Sequence, residues 1–487
     1  MISWKAYILC AVVVMAAGFG YIESSHRNIQ SDLRDAVADN RKFDTSLPVF
    51  DKDRGNIPES AAVMGTRFAH KRTPAAPVPV SAKEWTVLVY MNGKNSLEFP
   101  LLINVNMMET VGSNSALNIV VEAGRTNNQE GDVAMDGDWT GSHRYYVTKD
   151  ENMTVVSSKI LQSFGRVDMG DWRHLVDFAK WGKENYPARH YMLLIWNHGS
   201  GWLTTKDVSP TLYSGKGISY DDETNNHISI PELAAAMRAI GRVDILAFDA
   251  CLMQMAEVLY ELRDSADYIV GAEEYMDEFG FPYQEILTAF SSGSEDSRVL
   301  AAEMVRLYSE TPRFQQSETQ TISAVNMSAM PEFITAFNAW MDAILASGMK
   351  PQFKGKYYSI RRYDYEDNKD LYDLLRVASG TDPGVSQKSR ALMDIIDRKL
   401  VLLTKAVRYY SPDPASHGVA IYLPFKTYNN KYDQLAFAKD TRWADFLKVM
   451  AATKVSGIEC ILQSLTINSL MPLRDYRKCE DNVFQLE

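Results

Sequence analysis

Cysteine is scarce in this chain: four in 487 residues, Cys10, Cys251, Cys460 and Cys479. That excludes a small disulfide-stapled fold, which needs a dense cysteine framework. Runs of Lys and Arg are missing and the net charge is −11, so no phosphate-tracking stripe exists and nucleic acid is not an expected partner. The eight histidines include no H-E-x-x-H pair, which removes the common zinc-hydrolase signature. No self-similar period of roughly 20 to 50 residues recurs, so the chain is not a repeat array. What remains is ordinary globular composition, 46% hydrophobic and 23% charged. The length suits a large α/β unit with additions.

The first residues, MISWKAYILCAVVVMAAGFGYIESSHR, carry one Lys and then an apolar run over residues 6–22. With small residues at Ala16, Ala17 and Gly18, residues 1–22 predict an export signal. The run is also at the lower limit for a membrane span, so an uncleaved anchor stays open. Cys10 follows Tyr7, Ile8 and Leu9, not the small residues a lipidation site requires. Residues 23–84 are polar and end in HKRTPAAPVPVSAKE, a Pro- and Ala-rich linker or pro-segment. An exported protein can oxidise cysteine pairs, and Cys460 with Cys479 would close a short loop in the tail, residues 456–487. Cys251 is then left over.

From Trp85 onward short apolar runs alternate with amphipathic helical patterns. Strands are expected at 85–91, 117–124, 143–148, 190–197, 243–249 and 268–273, several apolar on both faces, as inner strands of a parallel sheet must be. Helices are expected at 171–186 and 228–241, the second announced by Ser229, Pro231 and Glu232 as cap, first-turn proline and capping carboxylate. This alternation predicts right-handed βαβ units and a three-layer α/β/α sandwich over residues 85–294. Residues 295–455 continue as an α+β extension, with helices at 296–310, 330–347, 385–410 and 441–450 and strands at 321–327 and 418–425.

Ligands of an open parallel sheet bind beyond the carboxyl ends of its strands. HYMLLIWNHGSGW delivers His198, Gly199 and Ser200 at one such end; VDILAFDAC delivers Asp249 and Cys251 at another. Cys251 opens CLMQMAEVLYELRD, which reads as a helix. A cysteine at a helix amino terminus beside a histidine is expected to have a lowered pKa. The N–H groups of Gly199 and Cys251 are then candidate oxyanion donors. Singly each residue has a structural reading: Cys251 a buried hydrophobe, His198 a turn residue, Asp249 the cap of the next helix. Together, at two successive strand ends, they point to nucleophilic catalysis. A serine hydrolase using Ser200 is the competing enzyme, although HGSGW is not the spaced G-x-S-x-G elbow. An exported, inactive binding protein on the same fold is the non-enzymatic alternative.

LLIWNHGSGW and ILAFDACLMQMAEV resemble the paired His-Gly and Asp-Ala-Cys motifs of the clostripain family of cysteine peptidases, which shares the caspase–gingipain–legumain fold. WTVLVYMNGKNSLE, GISYDDETNNHISIPELAAAM, HGVAIYLPF and TRWADFL extend the similarity over about residues 85–450. The resemblance implies His198 as general acid/base, Cys251 as nucleophile and Asp249 as the acid of a pocket for substrate Lys or Arg. Peptides or proteins with basic residues are the partners it implies. It also implies maturation by self-cleavage, with Lys206 and Lys216 in the segment between the catalytic strands as candidate sites, or the earlier AHKR at 69–72. Some relatives depend on calcium; Asp221, Asp222 and Glu223 are the oxygen ligands on offer, and no other cofactor is implied. One departure stands out. Where relatives often carry a Pro-Gly turn before an aromatic, this chain has YMDEFGFPY, so the pocket rim is expected to differ.

Overall fold

The computed structural model describes residues 82–453, apart from 203–216, 295, 318, 349–353, 364, 381 and 408–415. The apolar run at 6–22, the AHKR site, Lys206, Lys216, Cys460 and Cys479 therefore lie outside the described residues. Among the described residues no helix is long and apolar enough to cross a membrane.

Thirteen strands are described: β1 Lys83–Asn92, β2 Leu117–Arg125, β3 Gly141–Tyr146, β4 Lys159–Phe164, β5 Ala188–Trp196, β6 Ile218–Asp221, β7 Asn226–Ile228, β8 Val243–Asp249, β9 Ala266–Gly271, β10 Thr321–Asn326, β11 Asn368–Asp370, β12 Val401–Ala406 and β13 Ala420–Tyr422. Nine form one sheet in the order β12-β10-β9-β8-β5-β1-β2-β3-β4. The five inner strands β2, β1, β5, β8 and β9 are mutually parallel, and antiparallel pairs finish both edges. Parallel strands must be covered on both faces, and the residues comply. Leu88 and Tyr90 of β1 join one core, together with Leu175 and Phe178 of the helix Trp172–Asn185 and Leu233 and Met237 of the helix Ile230–Ile240. Val87 and Val89 face the other, which is filled from Glu98–Glu109, Tyr283–Ser291 and Ser297–Ser309. This is the expected three-layer sandwich. The capping box at Ser229 and Glu232 forms as the sequence proposes.

The stretch after residue 295 extends the same sheet, since β10 and β12 continue it beyond β9. One expectation there is corrected. The helix expected over 385–410 stops as Pro383–Ile395, and after one wide turn residues 401–406 become β12. Val401 and Leu403 pair with β10; a β-branched and aliphatic run beside an open sheet edge takes the ladder hydrogen bonds instead.

Candidate active site

β5 and β8 are parallel neighbours in which Trp196 stands opposite Asp249. His198 and Cys251 each follow two residues beyond those partners, so the register alone brings them to one edge of the sheet. β1 ends beside them, with Met91 opposite Trp196. Asn197 staples the three ends together. Its N–H donates to Asp249 O at 3.2 Å, its amide nitrogen donates to Asn92 O, and its Oδ1 accepts from Tyr220 N–H at 2.7 Å. Asn95 Nδ2 also donates to Tyr220 O, at 2.6 Å. This fixes the loop after β1 against the end of β5.

The strand ends surround a cavity of about 240 Å³ whose wall includes His198, Gly199, Asp249, Cys251, Met276 and Tyr365. Gly199 lies directly against the Cys251 backbone: a β-carbon there would sit 2.4 Å from Cys251 O and 3.2 Å from Cys251 N. Only glycine allows that approach. His198 Nε2 and Ser96 Oγ are 3.0 Å apart. Burial pushes the imidazole pKa down to about 4, so the ring is neutral at pH 7. Cys251 is partly exposed, and Sγ accepts from Met276 N–H at 3.3 Å. Burial pushes the thiol up to about 12, and the carboxylates of Glu274 and Asp249 add to the rise. Cys251 is therefore held as a thiol and His198 as a neutral imidazole.

The helix expected to begin at Cys251 does not form, and the lowered thiol pKa expected with it is not found. Leu252 takes a left-handed conformation, φ 63°; Leu252 N–H donates to Glu274 O and Gln254 N–H to Ala272 O; Met255 bridges Ala420. The chain stays non-helical until the short helix Ala256–Glu261. Pairing with the chain beyond β9 outcompetes helix propensity, and no helix dipole reaches the thiol.

Asp249 is not a helix cap either, since the next helix starts seven residues later at Ala256. Its side chain is buried against the YMDEFGFPY segment, where Oδ2 accepts from Tyr283 OH at 2.6 Å and from Phe281 N–H at 3.0 Å. Burial raises this carboxyl to about 6, while the two donors hold it down. Ser200 Oγ faces Tyr220 OH at 2.6 Å and accepts from Gly217 N–H. These bonds link the turn after β5 to β6. The acids weighed for calcium do not form an open cage: Lys94 Nζ stands 3.6 Å from Asp221 and 2.6 Å from Glu223, and Arg166 also pairs with Glu223. A lysine ammonium already pairs with two of the three carboxylates weighed for calcium, Asp221 and Glu223, and would compete with the ion there. Sequence reasoning did not single out Ser96, Gly280 or Tyr283. They sit in segments quoted only for family likeness or for departure from it.

A model of the clostripain family matches residues 89–450. The clostripain of Hathewaya histolytica is 28% identical over 226 residues, a match covering 43% of this chain and 42% of that protein. The chain thus spans less than half the length of that curated relative. A secreted C11 cysteine protease from Bacteroides thetaiotaomicron, solved with an irreversible peptide inhibitor, superposes with a TM-score of 0.56 at 21% identity, covering 74% of this chain and 99% of that one. An inactive zymogen C11 protease from Parabacteroides distasonis gives 0.54 at 22% identity, covering 75% and 99%. At such identities the two structures establish the shared fold.

Proposed function

The chain belongs to the clostripain family of cysteine peptidases, and on that premise we propose that it is an exported endopeptidase cleaving after Lys or Arg, with Cys251 as nucleophile and His198 as general acid/base. The observation that carries this reading is the convergence of both residues at the ends of adjacent parallel strands, with Gly199 packed on the Cys251 backbone.

Because thiol and imidazole are both neutral at rest, the proton leaves Sγ for His198 as the thiol attacks the scissile carbonyl. The N–H groups of Gly199 and Cys251 hold the oxyanion. His198 then protonates the leaving amine, the acyl-enzyme forms, and water hydrolyses it by the same steps in reverse. A substrate ammonium or guanidinium gives buried Asp249 the counter-ion that draws it into its ionised form. Self-cleavage at Lys206 or Lys216 is part of the proposal: the residues flanking that segment meet at the site, Ser200 N–H donating to Gly217 O at 2.9 Å.

Cys251→Ala and His198→Ala are expected to lower peptidase activity by about 10³-fold or more with thermal unfolding unchanged. Amino-terminal sequencing should show cut wild type and uncut Cys251→Ala. Near-normal turnover in Cys251→Ala overturns the assignment, and identical uncut chains remove self-processing.

A further inference from the structure

Asp249 is held by one oxygen. Tyr283 OH at 2.6 Å and Phe281 N–H at 3.0 Å both donate to Oδ2, and a carboxylate oxygen has two lone-pair sites to offer. Tyr283 is a reliable donor, because its burial and the neighbouring Asp249 keep the phenol protonated. Gly280 closes the same side. It adopts φ 59°, and a β-carbon there would overlap the carboxylate, 2.1 Å from Oδ2 and 2.4 Å from Oδ1. Gly280 N–H donates to Asp277 O, and Phe279 N–H donates to Asp277 Oδ1 at 3.0 Å, so the turn pressed on Asp249 is internally braced.

Among the described residues no cation pairs directly with this carboxyl, although the Arg313 charge helps to hold its pKa down. Arg313 pairs with Asp277 at 3.4 Å and donates to Gly280 O at 3.3 Å; Tyr308 accepts from Asp277 N–H and donates to Gln320. An arginine side chain reads a carboxylate best by a two-pronged fork, one N–H on each oxygen. Here the Oδ2 prong is already taken. A lysine ammonium is a compact charge that needs only one oxygen, and Oδ1 supplies it.

We propose that Tyr283, seated by Gly280, makes this pocket select Lys over Arg, by occupying the oxygen that an arginine fork would use. The inference rests on the reading of Asp249 as the pocket acid. Tyr283 acts through Asp249 and is a specificity-positioning residue.

The test is kcat/KM of the intact enzyme on three peptides differing only before the scissile bond, with Lys, Arg or norleucine there. Wild type is expected to favour Lys over Arg by about 5- to 10-fold, the worth of one hydrogen bond. Tyr283→Phe, which keeps the ring and removes the donor, should bring the Lys/Arg ratio to about one or below, with the norleucine peptide as the neutral reference. An Arg-preferring wild type, or a Lys preference that Tyr283→Phe leaves intact, overturns the proposal. The wild-type ratio needs no variant, so a Tyr283→Phe chain that misfolds does not remove the test. A wild type that cleaves the norleucine peptide as well as the other two sinks the reading of Asp249 itself, a separate result.

Discussion

Two buried carboxylates at the same sheet, Glu122 and Asp249, have opposite fates. Glu122 of β2 is bonded by Arg144 at 2.7 Å, by Ser142 and by His174. Arg144 also reaches Asp177 and stacks near Phe164 and Trp181. Although burial pushes Glu122 up, the Arg144 and His174 charges outweigh it and hold the carboxyl at about 2. Asp249 has neutral donors and, among the described residues, no cation bonded to it, and it sits at about 6. His174 is tied to a carboxylate; His198 meets a serine hydroxyl. A carboxylate that carries its own counter-ion holds the fold together. One held by neutral donors beside a cavity leaves its charge for something that arrives from outside.

The comparison breaks hardest at Arg144. Arg144→Met keeps much of the volume and strips Glu122 of its guanidinium, leaving a buried charge with too little compensation; a loss of about 3–5 kcal/mol is expected, read by denaturant unfolding. The sign with pH follows from the depressed carboxyl. Glu122's contribution is present above its unfolded value near 4.3 and is lost as pH falls toward 2. In Arg144→Met acid unfolding should therefore begin at higher pH. Unaltered stability at pH 7 would mean that the network is ornamental.

Asp249→Asn should move stability the other way. A folded carboxyl raised to about 6 against roughly 3.9 unfolded binds a proton that the unfolded chain has already released. Wild type accordingly loses stability as pH rises between those values, by up to about 3 kcal/mol. The asparagine variant keeps an oxygen for Tyr283 and avoids that cost, so it is expected to be about 1–3 kcal/mol more stable at pH 7.5 and no different below pH 4. Its kcat/KM on a Lys substrate should fall by roughly 30-fold or more, while a neutral substrate is spared. Loss of stability together with loss of turnover on both substrates would place Asp249 with Glu122 as a structural acid.

The contrast also marks what could be read from residues alone. The strands β1, β5 and β8 were legible because inner strands of a parallel sheet are apolar on both faces, and a polar residue just past such a strand stands out. His198, Gly199, Asp249 and Cys251 were singled out that way, and all four line one cavity. The helix placed at Cys251 failed because CLMQMAEVLYELRD has good helical periodicity, and only the neighbouring chain beyond β9 decides that Leu252 and Gln254 turn away from it. Tyr283 and Gly280 were invisible as site residues for a related reason: they lie more than 30 positions from Asp249 in sequence, and a hydrogen bond across that separation leaves no local pattern. YMDEFGFPY could be marked as a departure but not as the wall of the pocket. Glu122 and Arg144, opposite each other on β2 and β3, needed a register that no single strand reveals.

The smallest effect concerns the two histidines. His174 is anchored by a charge-bearing partner; His198 has Ser96, whose loop is braced by Asn95 on Tyr220. A neutral hydroxyl orients a ring without raising its pKa much, which suits the acid/base role proposed for His198. Ser96→Ala removes one neutral hydrogen bond, so kcat should fall by about 5- to 10-fold with KM nearly constant. Ser96→Thr, which keeps the hydroxyl, should restore most of it. Replacing the hydroxyl by a carboxylate, Ser96→Asp, makes the site imitate the His174 cluster: an acid at Nε2 stabilises the imidazolium, and the acid limb of kcat should move to higher pH. If Ser96→Ala matches wild type in kcat and Ser96→Asp leaves the pH profile where it was, the hydroxyl does not orient the catalytic ring, and His198 is positioned by its own strand end.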